Sequence, residues 1–355
     1  MAYSTITKPS LHFNTKLFTG TGSAQSITGV GFQPDWVWSK GRNSTNNHTS
    51  FDAVRGTGKA LYQNLTNAEE NQAQGITAFG TDGFSVGTLA DINNSGGNIV
   101  SWNWKANGQG SANTDGNINS TVSLNSTAGF SIVKWTGNNS GSANVGHGLG
   151  AIPDVIIVKN MEQNTSWGVK HSSMSSGHMC NLNTTDASSD RNGSTNGGLS
   201  NLGSTTTFGF IAGSGGTPEV NGSGNNMIAY CFTEKKGYSK FGKYTGNGNA
   251  DGTFVYTGFK PAFIMIKDKD YAEAWMMYDN KRPGYNLNAN HLMADSNTTE
   301  TNSSANTMDI LSNGFKMRAT NNAINRNDHA GFLYMAFAAE PLVANVGQSI
   351  PATAR

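Results

Sequence analysis

An aromatic residue, an aspartate and, three positions on, an arginine occur twice in this chain, as Phe51-Asp52 with Arg55 and as Tyr278-Asp279 with Arg282. A carboxylate and a guanidinium so spaced can pair through two parallel hydrogen bonds. Beside an exposed aromatic ring they could hold a polar ligand; turned inward, they would pin a loop. Between them, where a third copy would fall, stands Trp167-Gly-Val-Lys-His171. A catalytic pair kept at two of three places would be odd, whereas a clasp replaced at one would not, so the clasp is the preferred reading. His178 and Cys180 follow His171 in the polar insert 171–206, at a spacing that matches no common ligand pattern. The candidate binding residues are therefore Asp52, Arg55, Trp167, His171, His178, Asp279 and Arg282. No metal and no cofactor is expected.

Other chemistry is thin. There is no Gly-x-Ser-x-Gly, no P-loop, no His-Glu-x-x-His and no dinucleotide fingerprint after a strand. Glycoside hydrolysis needs two carboxylates across a cleft. Asp52, Glu69, Asp279 and Asp295 qualify by type only. The expectation is a protein that is not an enzyme.

The elements that must position these residues repeat. Gly31-Phe-Gln-Pro-Asp-Trp-Val-Trp-Ser-Lys40 returns as Leu149-Gly-Ala-Ile-Pro-Asp-Val-Ile-Ile-Val-Lys159 and as Gly258-Phe-Lys-Pro-Ala-Phe-Ile-Met-Ile-Lys267. Each copy is a turn ending in proline, a short apolar run and a lysine. Proline cannot donate to a ladder and suits the first residue of a strand. The run after it is aromatic and β-branched and too short for a helix. Three further landmarks keep step. An aromatic-Thr-Gly comes before (Phe18, Trp135, Tyr244), a Gly-Phe after (Gly83, Gly209, Gly314), and then an alternating strand (Trp102-Asn-Trp104, Tyr230-Cys-Phe232, Met335-Ala-Phe337). Four landmarks in one order, three times, predict three homologous units of ordinary domain size. Trp102, Trp104, Phe232 and Phe337 are expected in the core.

The predicted fold is all-β: three antiparallel β-sandwich units, jelly-roll or lectin-like, in tandem. The expected order is an N-terminal arm (1–16), unit one (17–106), a Gly/Asn/Ser-rich link (107–129), unit two (130–236), unit three (237–340) and a tail (341–355). In the link, Thr121-Val-Ser-Leu124 can form one strand. Short strands cut by Gly and Asn turns are the pattern of sandwiches. A soft helical stretch, Ala68 to Gln74, is the only helix candidate.

Composition narrows the classes. Charged residues make up 13% of 355 and the net charge is +1, so no basic field marks a nucleic-acid binder. Seven Trp, 10 Tyr and 17 Phe at regular places argue against a disordered chain. No run of 18 apolar residues is present, so no membrane insertion is expected, and the start has no apolar signal core. Cys180 and Cys231 are too few for a disulfide framework, and two free thiols are expected.

On these motifs the chain resembles a family of virion structural proteins from marine tailed bacteriophages, whose members carry one to several copies of a domain of about this size. The segments that carry the resemblance are Phe13-Asn-Thr-Lys-Leu17, Ser26-Ile-Thr-Gly-Val-Gly-Phe-Gln-Pro-Asp35, Ala53-Val-Arg-Gly56, Thr66-Asn-Ala-Glu69, Trp102-Asn-Trp-Lys-Ala106, Thr127-Ala-Gly-Phe-Ser-Ile-Val133, Val145-Gly-His-Gly-Leu-Gly150 and the terminal Pro-Ala-Thr-Ala-Arg355. It covers nearly the whole chain, with the widest departure at 171–206. It implies a virion location after synthesis in the host cytoplasm, and a fibre-like or simply structural role with no active site to carry over. The expected partners are other tail or capsid proteins and a host-surface glycan, and fibre symmetry suggests a homo-oligomer, a trimer. A head fibre or capsid decoration protein that clamps its neighbours is the alternative, and a polysaccharide depolymerase the third reading.

Overall fold

The computed structural model describes residues 4–215, 218–327 and 331–341. The chain is all-β and its strands pair antiparallel in six sheets, three large and three small. The first large sheet runs in the order Phe13–Thr19, Asn98–Trp104, Trp36–Gly41, Thr49–Asp52, Lys59–Tyr62, Glu70–Asn71. The third repeats that order with Ser239–Tyr244, Phe332–Pro341, Phe259–Asp268, Met276–Asp279, Asn290–Met293 and Thr301–Asn302. The second has the same six positions, from Phe130–Thr136 through Asn226–Phe232, Val155–Asn160, Gly168–His171 and His178–Asn181 to Ser189–Asp190. It adds Ser120–Asn125 and Ser111–Asn113 at one edge.

The proline-led runs are the middle strands, and both their faces are buried. Along Trp36–Gly41, Val37 packs with Ile27, Phe84 and Val86 of the small three-stranded sheet, while Trp36 and Trp38 face the other way. Ile156 and Val158 against Val155 and Ile157, and Ile264 and Ile266 against Phe263 and Met265, divide in the same way. This is why the runs read as continuously apolar: a strand buried on both faces has no polar alternation. The faces turned away from the small sheets meet in one shared core built by all three large sheets. Trp36 stacks on Tyr230 at 4.0 Å and on Trp104 at 4.4 Å, and Phe13 stacks on Phe337 at 5.1 Å. Trp102, Trp104, Phe232 and Phe337 all lie in it. Each such side chain removed from water contributes about 1.5–3 kcal/mol, so the meeting of the sheets is a main source of stability.

Several local expectations change. The stretch 107–129 is not a bare link, because two of its segments extend the second large sheet. Residues 4–16 are not a free arm: Ile6 and Phe13 enter the shared core, and Pro9–Leu11 forms a 3-10 turn. The stretch 68–74 holds the short strand Glu70–Asn71 instead of a helix. Pro34 and Pro153 precede their strands, whereas Pro261 lies inside Phe259–Asp268, at a break in register where its missing N–H is tolerated. The tail beyond Pro341 lies outside the described residues. Two of the three Gly-Phe landmarks, Gly83 and Gly314, have a steric cause. A Cβ on Gly83 would sit 1.9 Å from the carbonyl oxygen of Ile27, and one on Gly314 would sit 2.0 Å from that of Val255.

Candidate functional site

The two Asp–Arg motifs form the same clasp. Asp52 ends its strand, accepts the Arg55 N–H at 2.9 Å on Oδ1 and pairs with Arg55 Nε through Oδ2. Asp279 accepts the Arg282 N–H at 2.9 Å and pairs with Arg282 Nε at 2.6 Å. The remaining guanidinium nitrogens are also committed. Those of Arg55 donate to the carbonyls of Lys59 and Ser50 and to Glu69; those of Arg282 donate to the carbonyl of Met277 and to Glu300. Both ion pairs are shut off from solvent. Burial works against the charge of Arg55, yet Asp52, with Tyr230 and Glu69, holds its pKa above the ordinary range.

Each pair also reaches across a seam between large sheets. Tyr230 of the second sheet donates its hydroxyl to Asp52 Oδ2 at 2.8 Å, and Trp102 of the first donates Nε1 to Asp279 Oδ2 at 3.2 Å. His171 occupies the matching strand end in the second sheet. Its Nδ1 accepts the Ser173 N–H at 3.0 Å, which leaves Nε2–H to donate to the Tyr334 carbonyl of the third sheet at 3.2 Å. Burial lowers the His171 pKa to about 4. The three contacts run head to tail: second sheet on first, first on third, third on second.

Other positions repeat the circuit. Trp167 Nε1 donates to the Tyr62 carbonyl at 2.8 Å and Trp275 Nε1 to the Asn181 carbonyl at 2.9 Å. In the same relative place, His48 lies buried against the third sheet. Burial sends its pKa well down, the nearby cation of Lys40 adds to this, and the Met293 carbonyl partly opposes it. The backbone N–H groups of Glu69, Ser188 and Glu300 donate across the three seams to the carbonyls of Met161, Lys269 and Arg42, each at 2.7 Å. Arg42 and Glu300 add a two-toothed ion pair at 2.8 and 3.0 Å. The lysines that close the proline-led runs are pins. Lys159 Nζ donates to the Thr66 carbonyl in the loop before Glu70–Asn71, and Lys267 Nζ to the Thr185 carbonyl in the loop before Ser189–Asp190. Lys40 Nζ donates to the carbonyls of Gly41 and Ser44. Burial lowers Lys159 to about 7 and Lys40 to about 8, and lowers Lys267 as well.

Six of the seven sequence-nominated binding residues are therefore interior. Asp52, Arg55, Asp279, Arg282, Trp167 and His171 offer no side-chain surface to a ligand, because their polar atoms are engaged within the chain. They are corrected from ligand contacts to seam contacts. His178 is half-buried at the start of its strand, opposite Asp190. His171, His178 and Cys180 do not converge, and among the described residues no three His, Cys, Asp or Glu side chains are placed to hold a metal ion. Cys180 and Cys231 are buried free thiols, and burial pushes Cys180 up to about 12.

Sequence reasoning missed a polar recess on the surface. It lies beside the loop that follows Asp279, measures about 220 Å³, and is bordered by Lys260, Asn280, Lys281, Tyr285, Asn288 and Glu340. Tyr285 is 73% exposed. The signal was available: loop 280–289 is longer than its counterparts 53–58 and 172–177. No curated protein and no solved structure matches this chain. A sequence profile described as a domain of unknown function, DUF7483, matches residues 8–341. That span is nearly the whole chain, which therefore belongs to the DUF7483 family.

Proposed function

We propose that the chain is a non-enzymatic structural protein of a tailed-bacteriophage virion, a surface appendage of fibre or spike type that contacts a host-surface glycan. The observation that carries this reading is the head-to-tail circuit of seams. We read each pair of large and small sheets as one of three homologous sandwich units, jelly-roll or lectin-like. The residues best suited to chemistry are used to hold those units together. Asp52 and Asp279, two of the carboxylates that a depolymerase would need, are locked inside guanidinium clasps. Asp295 accepts the Trp275 N–H at 2.6 Å. Such an interior suits a rigid block that presents loops at its outer rim.

The circuit also bears on stoichiometry. Three-fold symmetric appendages usually take three chains. Here three like units already close on one another within one chain, which favours one chain where a homotrimer would otherwise stand. The alternative is a head fibre or decoration protein that clamps its neighbours. A clamp through the N-terminal arm is disfavoured by the packing of Ile6 and Phe13 in the chain's own core. Cryo-electron microscopy of the intact particle decides. Density on the tail with the 280–289 rim turned outward is the expected result. Density on the capsid lattice, with both ends of the chain buried between subunits, would sink the appendage reading.

A further inference from the structure

The loop 280–289 after Asp279 is four residues longer than its two counterparts, and the extra length is firmly held. Asp279 Oδ1 accepts the N–H groups of Lys281 and Arg282, each at 2.9 Å. The Asn286 side chain exchanges two hydrogen bonds with the backbone of Ile310, at 2.9 and 3.0 Å. Asn288 exchanges two backbone bonds with Met308, at 2.8 and 3.0 Å. The loop is thus tied to the edge of the small sheet and makes one wall of the recess, with Lys260 and Glu340 on the paired strands beside it.

The recess holds unmet hydrogen-bonding capacity. Asn288 is 1% exposed and its Nδ2 is committed to the Asp279 carbonyl at 3.0 Å, yet its Oδ1 is buried without a partner. The Oδ1 of Asn280 is in the same state. Lys260 and Lys281 have no ion-pair partner among the described residues, and Glu340 supplies a further acceptor. Tyr285 gives an exposed, flat, apolar face at the lip.

We infer that this recess binds one pyranose unit of a hydroxyl-rich polysaccharide. The sugar ring lies on Tyr285, and its hydroxyls donate to Glu340 and accept from Lys260 and Lys281. The inference rests on the glycan-contacting reading and assigns that contact to one loop of one unit. The test is affinity electrophoresis of the full chain through native gels containing dextran, laminarin, galactomannan or alginate. Tyr285→Ala and Lys281→Ala are run alongside; both residues are exposed, and unchanged unfolding midpoints show that the fold is kept. The expected result is retardation of the wild type by at least one polymer and an apparent affinity at least about tenfold weaker in Tyr285→Ala, one base–aromatic-scale contact. Equal retardation of wild type and variants would overturn the recess while leaving a glycan contact elsewhere on the chain. No retardation of the wild type by any of the four would also overturn it. Tyr285-dependent capture of another virion protein would replace the sugar with a protein neighbour.

Discussion

The two aspartates that looked most like ligand-binding groups are worth more as neighbours than as chemistry. Each lies in a dry ion pair, and removing one partner of such a pair strands the other charge at a cost of about 3–5 kcal/mol. Asp52→Ala and Asp279→Ala should therefore each lower unfolding stability by about that much in urea titrations. A loss below about 1 kcal/mol, the size of an exposed pair, would contradict the clasp. Tyr230→Phe keeps the ring stack on Trp36 and removes only the hydroxyl that Asp52 accepts. A hydrogen bond to a charged group contributes about 1.5–3 kcal/mol, so this variant should fall between wild type and Asp52→Ala. The Asp-x-x-Arg spacing made the pairs legible in the sequence. Their partners Tyr230 and Trp102 were not, because they stand 178 and 177 positions away and nothing local links them.

At the level of the strand, the seam through His171 should respond to acid. The folded chain holds this imidazole neutral to about pH 4, while an unfolded chain takes its proton near 6.5. Between those values the unfolded state binds more protons, so stability is intact above pH 6.5 and falls as pH drops towards 4. The full penalty is about 3 kcal/mol for this one group. His171→Gln should flatten the change in urea midpoint between neutral and mildly acidic buffer. An unaltered slope would place the acid sensitivity elsewhere. The strands themselves were readable, because proline, an apolar run and a lysine recur in register. Which face met which sheet was not, since a run buried on both faces carries no alternation to orient it. The buried Asn93 and Asn325 were also passed over. Their side chains tie down the loops after the small-sheet strands Gly83–Val86 and Gly314–Met317, with Nδ2 donating to the carbonyls of Gly87 and Ala319 at 2.6 and 2.8 Å. The only cue was an Ile-Asn at matching places.

Across the molecule, the shared core makes the three large sheets interdependent. Excised residues 237–341 would expose Phe263, Met265, Trp275 and Phe337 to water, so the fragment should aggregate or remain unfolded. The full chain should unfold in a single transition with coincident midpoints by fluorescence and circular dichroism. Two separated transitions would mean that the seams are weaker than their burial implies. Light scattering after gel filtration should return the mass of one chain, and a mass three times larger would restore the homotrimer.

On the proposed three-unit reading, one chain can do what a homotrimer cannot: it can alter one corner alone. The lengthened loop with Tyr285 is such a change, present beside the Asp279 clasp and missing beside the Asp52 clasp. Each copy then carries a single hand. If that hand grips a sugar weakly, as lone sugar contacts do, a firm hold must come from many copies engaging at once, and the spacing between copies becomes the quantity under selection.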